Sequence, residues 1–459
     1  MSEEQDANKS GPIAKRMKLN DEENNPAERA VVAVNDEQQL ADIFKLNVDC
    51  FEEVFDYLSL ADLASMAQTC TRIQQIAGHF FQLNYRAEKV WFDKDGFELK
   101  DVKIDCFNNI LENVYVNSRL LSSNEDESFL IPLKHSTSIK EIEFDFYDCE
   151  DFSIDIYRIK DIISKAEKVS FRYGKEMFDD LLDLCTNVKH LSFKIGNHDK
   201  VQSMRHIHPK LEHIQFLPFT TINIPAQKTF IELNTTIKQI SIHSDLLWMN
   251  RTLFKNLSHK IDTLAIDYFE HEKIEFDLFC RFLNELYESG FYKKLHFIKS
   301  IRIQEDIDQL ASVKGLVKLY VRNYAHVGAL KNLEELCSIY SDYIGDLKTL
   351  PHMLSKLKRI HFEYSSYDDI LPFIRHAEKV NKIKVESFRH GSHFDENYKI
   401  LDLIALNKER EKLVGAHKIT IYVDEDVYLA TKWAMKQTDF SLIRMKRETS
   451  YDWKHWLLY

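Results

Sequence analysis

Nineteen histidines and seven cysteines hold most of the metal-binding and nucleophilic potential of this 459-residue sequence, so their spacing decides what chemistry is open to it. His206 and His208, like His390 and His393, have no cysteine or carboxylate set at ligand spacing beside them and read as surface histidines. His271-Glu272 lacks the second histidine of a zinc-binding helix, and there is neither a P-loop nor a G-x-G-x-x-G turn. The cysteines, Cys50, Cys70, Cys106, Cys149, Cys185, Cys280 and Cys337, are odd in number and form no C-x-x-C pair, so they read as reduced, mostly buried thiols. None sits in a local nucleophile signature. Short of a triad assembled in space, the expectation is no enzyme, no metal and no cofactor. What remains is recognition.

The residues best placed to recognise a partner lie on a recurring phrase. From about residue 100 the chain repeats apolar, two residues, apolar, one residue, apolar. Clear copies are Leu111, Val114, Val116; Ile139, Ile142, Phe144; Val188, Leu191, Phe193; Leu211, Ile214, Phe216; and Ile237, Ile240, Ile242. Others are Ile261, Leu264, Ile266; Leu316, Leu319, Val321; Leu357, Ile360, Phe362; and Val380, Ile383, Val385, with poorer copies around Val169, Leu295, Leu336 and Ile419. Such alternation makes a short strand whose apolar residues face one way and whose intervening residues face the other. On that other face stand His243, Asp267, Tyr320, Arg322, His361, Glu363, Lys384 and Glu386. Their mixture of charge, imidazole and aromatic groups suits a protein or peptide partner better than a polyanion. A net charge of -12, from 73 acidic and 61 basic residues, disfavours nucleic acid.

The elements that carry this face follow from the spacing of the phrases. Middle residues are 23 apart from Leu191 to Ile214, then 26 to Ile240 and 24 to Leu264; Leu295 to Leu319 is 24 and Ile360 to Ile383 is 23. Those intervals fall within the period of roughly 20 to 29 residues of leucine-rich repeats. The stretches FDDLLDLC, FDLFCRFLNELYES and ILDLIALNKERE between phrases have helical spacing. One strand and one helix per repeat predict an α/β fold, a curved solenoid with a concave parallel β-sheet over 87–425. Neither Asn nor Cys recurs at the turn, so the repeats are degenerate. Only 11 Gly and 8 Pro fit a folded body. Residues 426–459 read as a terminal cap that covers the last apolar edge; a partner-binding peptide around Trp453 and Trp456 is the alternative.

Before the repeats, LNVDCFEEVFDYLSLADLASMAQTC and the residues after it carry three apolar helical faces. These are Cys50, Phe51, Val54, Phe55, Leu58; Leu63, Met66, Ala67, Cys70; and Ile73, Ile76, Ala77, Phe80, with Ser59 and Asp62 in capping-box spacing. The stretch resembles the F-box without a gap from Leu46-Asn47 and Asp49 through Tyr57-Leu58, Ser59-Leu60, Asp62-Leu63 and Thr69-Cys70 to Ile76-Ala77. It departs at Asn47, where Pro is usual, and at Ile73, where Trp is usual. The resemblance implies a three-helix F-box over 41–86 that docks a Skp-family adaptor, and through it a cullin and a RING protein. It also implies that Leu46, Asn47, Phe51, Val54, Leu58, Leu63 and Ile73 divide between the small core and the adaptor-facing surface.

Residues 1–40 are rich in Glu, Asp, Asn and Gln and are expected to be disordered. Within them GPIAKRMKLND clusters Lys15, Arg16 and Lys18 and resembles a Myc-type nuclear localisation signal, which implies importin as a partner and nuclear or cytoplasmic residence. No signal peptide or run of about 18 apolar residues is present, so no membrane partner is expected. The sequence as a whole is similar to an F-box and leucine-rich-repeat substrate receptor of a ubiquitin ligase. A non-degradative scaffold is the alternative.

Overall fold

The computed structural model describes residues 46–122, 125–146, 154–172, 178–194, 204–217, 224–268, 275–299, 304–321, 327–340, 347–388 and 400–450. Lys15, Arg16, Lys18, Arg322, His390, His393, Trp453 and Trp456 lie outside them. The chain divides into two units, Met1–Phe51 and Glu52–Tyr459.

The described end of the first unit opens helix α1, Val48–Phe55. Asn47 Oδ1 accepts the amide of Cys50 at 2.8 Å, as a helix N-cap does.

The second unit continues with α2, Leu60–Ala67, and α3, Thr71–Tyr85. Ser59 caps α2: its Oγ accepts the Asp62 amide at 3.2 Å and donates to the Asp62 carboxylate at 2.7 Å. Phe55, Leu60, Leu63, Ala67, Ile73, Ile76, Ala77 and Phe80 are buried, and the rings of Phe55 and Phe80 meet edge to face at 5.9 Å.

Seventeen strands follow among the described residues. They are β1 Val90–Asp93, β2 Gly96–Leu99, β3 Val102–Lys103, β4 Asn113–Asn117, β5 Glu141–Asp145 and β6 Lys168–Arg172. Next come β7 His190–Lys194, β8 His213–Phe216, β9 Gln239–His243, β10 Thr263–Tyr268, β11 Lys294–Lys299 and β12 Leu316–Val321. The last are β13 Glu335–Tyr340, β14 Arg359–Ser365, β15 Lys382–Phe388, β16 Ile419–Val423 and β17 Ile443–Arg447. β3, β2 and β1 pair antiparallel. From β1 to β4, and then from each strand to the next, every pairing is parallel. Parallel neighbours need a crossover, and the connecting helices, such as Phe178–Leu184, Phe276–Glu288 and Leu403–Glu411, supply it.

Register turns the repeat into a ladder. Val116, Phe144, Phe171, Phe193 and Phe216 stand side by side on successive strands, all buried. The rings of Phe171 and Phe193 stack at 5.8 Å, and Phe193 meets Phe216 edge to face at 5.4 Å. Each such side chain contributes about 1.5–3 kcal/mol by leaving water. Because side chains alternate along a strand, an apolar row on one face requires a second row on the other.

The end of this unit returns to its beginning. Helix Glu425–Met435 and β17 supply Lys432, Tyr428 and Arg447 to the turn that follows α1. Lys432 Nζ lies 2.8 Å from Asp56 and 3.1 Å from Glu53, and the Tyr428 hydroxyl donates to Asp56 at 2.5 Å. Arg447, buried, donates to the carbonyl oxygens of Asp56 at 3.1 Å and Leu58 at 2.9 Å while its guanidinium covers the Tyr428 ring at 4.6 Å. Tyr85 donates to Glu425. Within the segment expected to form a cap, these residues make a clasp on the helical motif, a role its sequence did not announce.

Candidate functional site: the polar face of the sheet and the helical surface

The side chains opposite the apolar ladder form two different surfaces. On β4 to β9 they line a cavity of about 480 Å³ whose walls include Lys89, Glu141, Glu143, Lys168, Arg172, His190, His213 and Gln239. Its charges pair within the wall: Lys89 with Glu143 at 2.6 Å, and Lys168 with Glu141 at 3.2 Å. His213 Nε2 sits 2.8 Å from Ser241 Oγ, and burial pushes its pKa down to about 3, so the ring is neutral at pH 7. Along the cavity floor Ser170, Ser192 and Gln215 occupy one register row, continued by Ser241. Among the described residues, the side chains of Ser170, Ser192 and Gln215 make no hydrogen bond.

From β9 onward the face is closed on itself. His243, Asp267, Tyr320, His361 and Lys384 share one register row, as their alternation predicts, with Ile298 and Cys337 in it. Contrary to the expectation of an exposed face, His243, Asp267, Tyr320 and His361 are buried, His361 at 0% exposure. His361 Nε2 lies 3.0 Å from Glu386, Lys384 donates to Glu386 at 2.8 Å, and Tyr320 donates to Glu363. Lys318 reaches Glu335 at 3.1 Å. Burial lowers the His361 pKa to about 4. For Glu386 burial acts upward, but the hydrogen bond from His361 and the charge of Lys384 prevail and hold it at about 2. The cause of the closure is reach: Lys318–Glu335 and His361–Glu386 bridge adjacent strands, Lys384 and Glu386 lie two residues apart on β15, and Tyr320 spans β13 to meet Glu363 on β14.

His208 also departs from the surface reading. It is buried, with Nδ1 3.1 Å from the Cys185 carbonyl oxygen, and burial lowers its pKa. Cys185, Cys280 and Cys337 are buried thiols, while Cys50 is exposed. Among the described residues no three His, Cys, Asp or Glu side chains could hold a metal ion, and no helix is long and apolar enough to cross a membrane.

The helical motif divides its residues plainly. Phe51, Leu63 and Ile73 are buried; Leu58 is half-buried; Leu46, Asn47 and Val54 are exposed. Exposed apolar side chains are the ones a partner can cover, and Val54 is 45% exposed. In the first unit Val48 is 46% exposed; in the second Trp433, 64% exposed, lies edge to face with Tyr57 at 4.8 Å. The α1 spacing could have pointed to Val48. Trp433 could not be foreseen, because only the clasp brings it beside Tyr57. Nor was the cavity foreseen: Ser and Gln on a strand are no signal until register lines them up.

With this geometry in hand, comparison with known proteins gives the class. Residues 43–80 match the F-box domain. The chain carries an F-box domain, and the described residues after it form an α/β solenoid of the leucine-rich-repeat type, the second statement resting on its own one-strand-per-repeat register. An F-box domain is, in general, a docking element for Skp-family adaptors. No curated protein matches the chain. Among solved structures it is similar to an internalin of Listeria monocytogenes, with 11% identity, 83% of this chain and 95% of that chain covered and a TM-score of 0.23. It is also similar to the Toll–Spätzle complex of Drosophila, with 12% identity, coverage of 72% and 49% and a TM-score of 0.29. A leucine-rich-repeat protein of Leptospira interrogans gives 9% identity, coverage of 73% and 91% and a TM-score of 0.22. These values are too low for the neighbours' binding partners to bear on this chain.

Proposed function

We propose that this protein is the substrate-recognition subunit of a cullin-RING ubiquitin ligase: the F-box docks a Skp-family adaptor and the polar face of the solenoid holds a protein substrate. The observation that carries the reading is the F-box at 43–80 with Leu46, Val48 and Val54 exposed, ahead of a long repeat face. Its contribution to ubiquitin transfer is proximity, raising the effective concentration of substrate lysines near the charged conjugating enzyme, with no catalytic residue of its own. Asn47, in place of the usual Pro, caps α1 through its side chain and so still supports the helix that presents Val54. The basic cluster Lys15, Arg16 and Lys18 supports import by importin; Lys15→Ala with Arg16→Ala in a fluorescent fusion is expected to shift signal from nucleus to cytoplasm, and an unchanged nuclear signal overturns that part.

Titration of the purified chain with a Skp-family adaptor tests the main reading. Micromolar or tighter binding is expected for the native sequence, with a loss of at least tenfold in Val54→Asp at unchanged circular dichroism. No binding by the native sequence overturns it.

A further inference from the structure

We infer that the cavity on β4 to β9 is a peptide site, and that its ligand is an extended, uncharged polar segment of about seven residues lying across the strands. This rests on the reading above that the solenoid holds a protein substrate, and names where and by what chemistry.

Four observations on the molecule converge. First, Ser170, Ser192 and Gln215 place two hydroxyls and an amide in one row along the cavity floor, with no partner among the described residues. A buried or half-buried polar group without a partner carries a cost that a ligand hydrogen bond removes. Second, the charges of the wall are engaged with one another, Lys89 and Arg172 sharing Glu143 at 2.6 and 3.8 Å and Lys168 taking Glu141 at 3.2 Å. A charged ligand group on this floor would have to break those pairs, whereas backbone amides and Asn, Gln, Ser or Thr side chains need not. Third, His213, at the same floor, is neutral and occupied by Ser241, so it adds no positive charge. Fourth, the row of rungs from β4 to β9 covers five strand spacings, about 24 Å, which an extended chain crosses in about seven residues. The volume of about 480 Å³ lies within the range of ligand pockets. Hydroxyl and amide groups that both donate and accept match a peptide backbone, which presents donor and acceptor in alternation.

The test is panning of a phage-displayed library of random twelve-residue peptides against the full-length chain, followed by fluorescence anisotropy of the enriched peptides. Enrichment of uncharged polar segments is expected. Their binding should weaken about tenfold in Gln215→Leu, which removes the amide but keeps the bulk, and be lost in Ser170→Tyr, which fills the cavity. Circular dichroism and adaptor titration of both variants show that the fold is intact. No enrichment, enrichment of charged peptides, or binding indifferent to both substitutions overturns the inference. Adaptor titration is a separate measurement: binding of adaptor without peptide removes this site and leaves the ligase reading, while binding of peptide without adaptor leaves the site and removes the ligase reading.

Discussion

One sheet carries two polar faces with opposite states. On β4 to β9 the floor is Ser170, Ser192 and Gln215, unpartnered, beneath an open cavity. On β12 to β15 the same face of the sheet holds Lys318, Tyr320, His361 and Lys384, paired with Glu335, Glu363 and Glu386 and largely buried. Backbone geometry is the same in both, so the difference comes from side chains alone. Short neutral groups cannot reach one another across a strand spacing and leave room. Long ionic ones reach, pair and fill it. A repeat face is thus open to a partner where its residues are too short to satisfy themselves.

Substitutions should separate the two halves by stability. The largest effect belongs to the clasp at the end of the closed half: Arg447→Met leaves the Asp56 and Leu58 carbonyl oxygens without their buried donor and is expected to cost about 3 kcal/mol in urea unfolding. Next, Glu386→Gln deprives half-buried Lys384 and buried His361 of a shared carboxylate, with a loss of about 2 kcal/mol by the same measurement.

Acid provides a third comparison. His361 is held neutral by burial, its pKa lowered from 6.5 to about 4, so the unfolded chain takes its proton first. Stability is unaffected above pH 6.5 and falls as pH drops from 6.5 toward 4, by about 1 kcal/mol for this histidine at pH 5.5. Unfolding at pH 7.5 and 5.5 should show that loss added to those of His213 and His296, whose pKa values burial also lowers to about 3, and a smaller total in His361→Gln. The smallest effect is expected in the open half: Ser192→Ala and Gln215→Leu should each change stability by no more than about 0.5 kcal/mol, since neither side chain has a partner to lose. Losses of equal size in the two halves would erase the distinction.

The sequence announced the architecture better than the site. Every apolar phrase from Leu111 to Val385 lies at a strand with its apolar residues buried, because a period-two alternation at a near-constant interval has few other ways to hide its apolar side. The hairpin of β1 to β3 went unread, as it breaks the phrase. At the F-box, alternation on a helix marked Phe51, Leu63 and Ile73 as readily as Val54, and only tertiary packing separates interior from surface. On the sheet, His243, Asp267, Tyr320 and His361 drew attention because their chemistry is conspicuous, yet conspicuous groups are those that pair and become buried. Ser170, Ser192 and Gln215 are inconspicuous one by one; their meaning depends on register, which a single strand does not contain.

The most direct test of the account is purification of the intact chain from cells beside Val54→Asp, with quantitative mass spectrometry of the assembly. The account predicts a Skp-family adaptor and a cullin at comparable abundance with the native sequence, both lost in the variant. An adaptor present without cullin, or neither present with the native sequence, would contradict a ligase subunit and leave a scaffold built on the same fold.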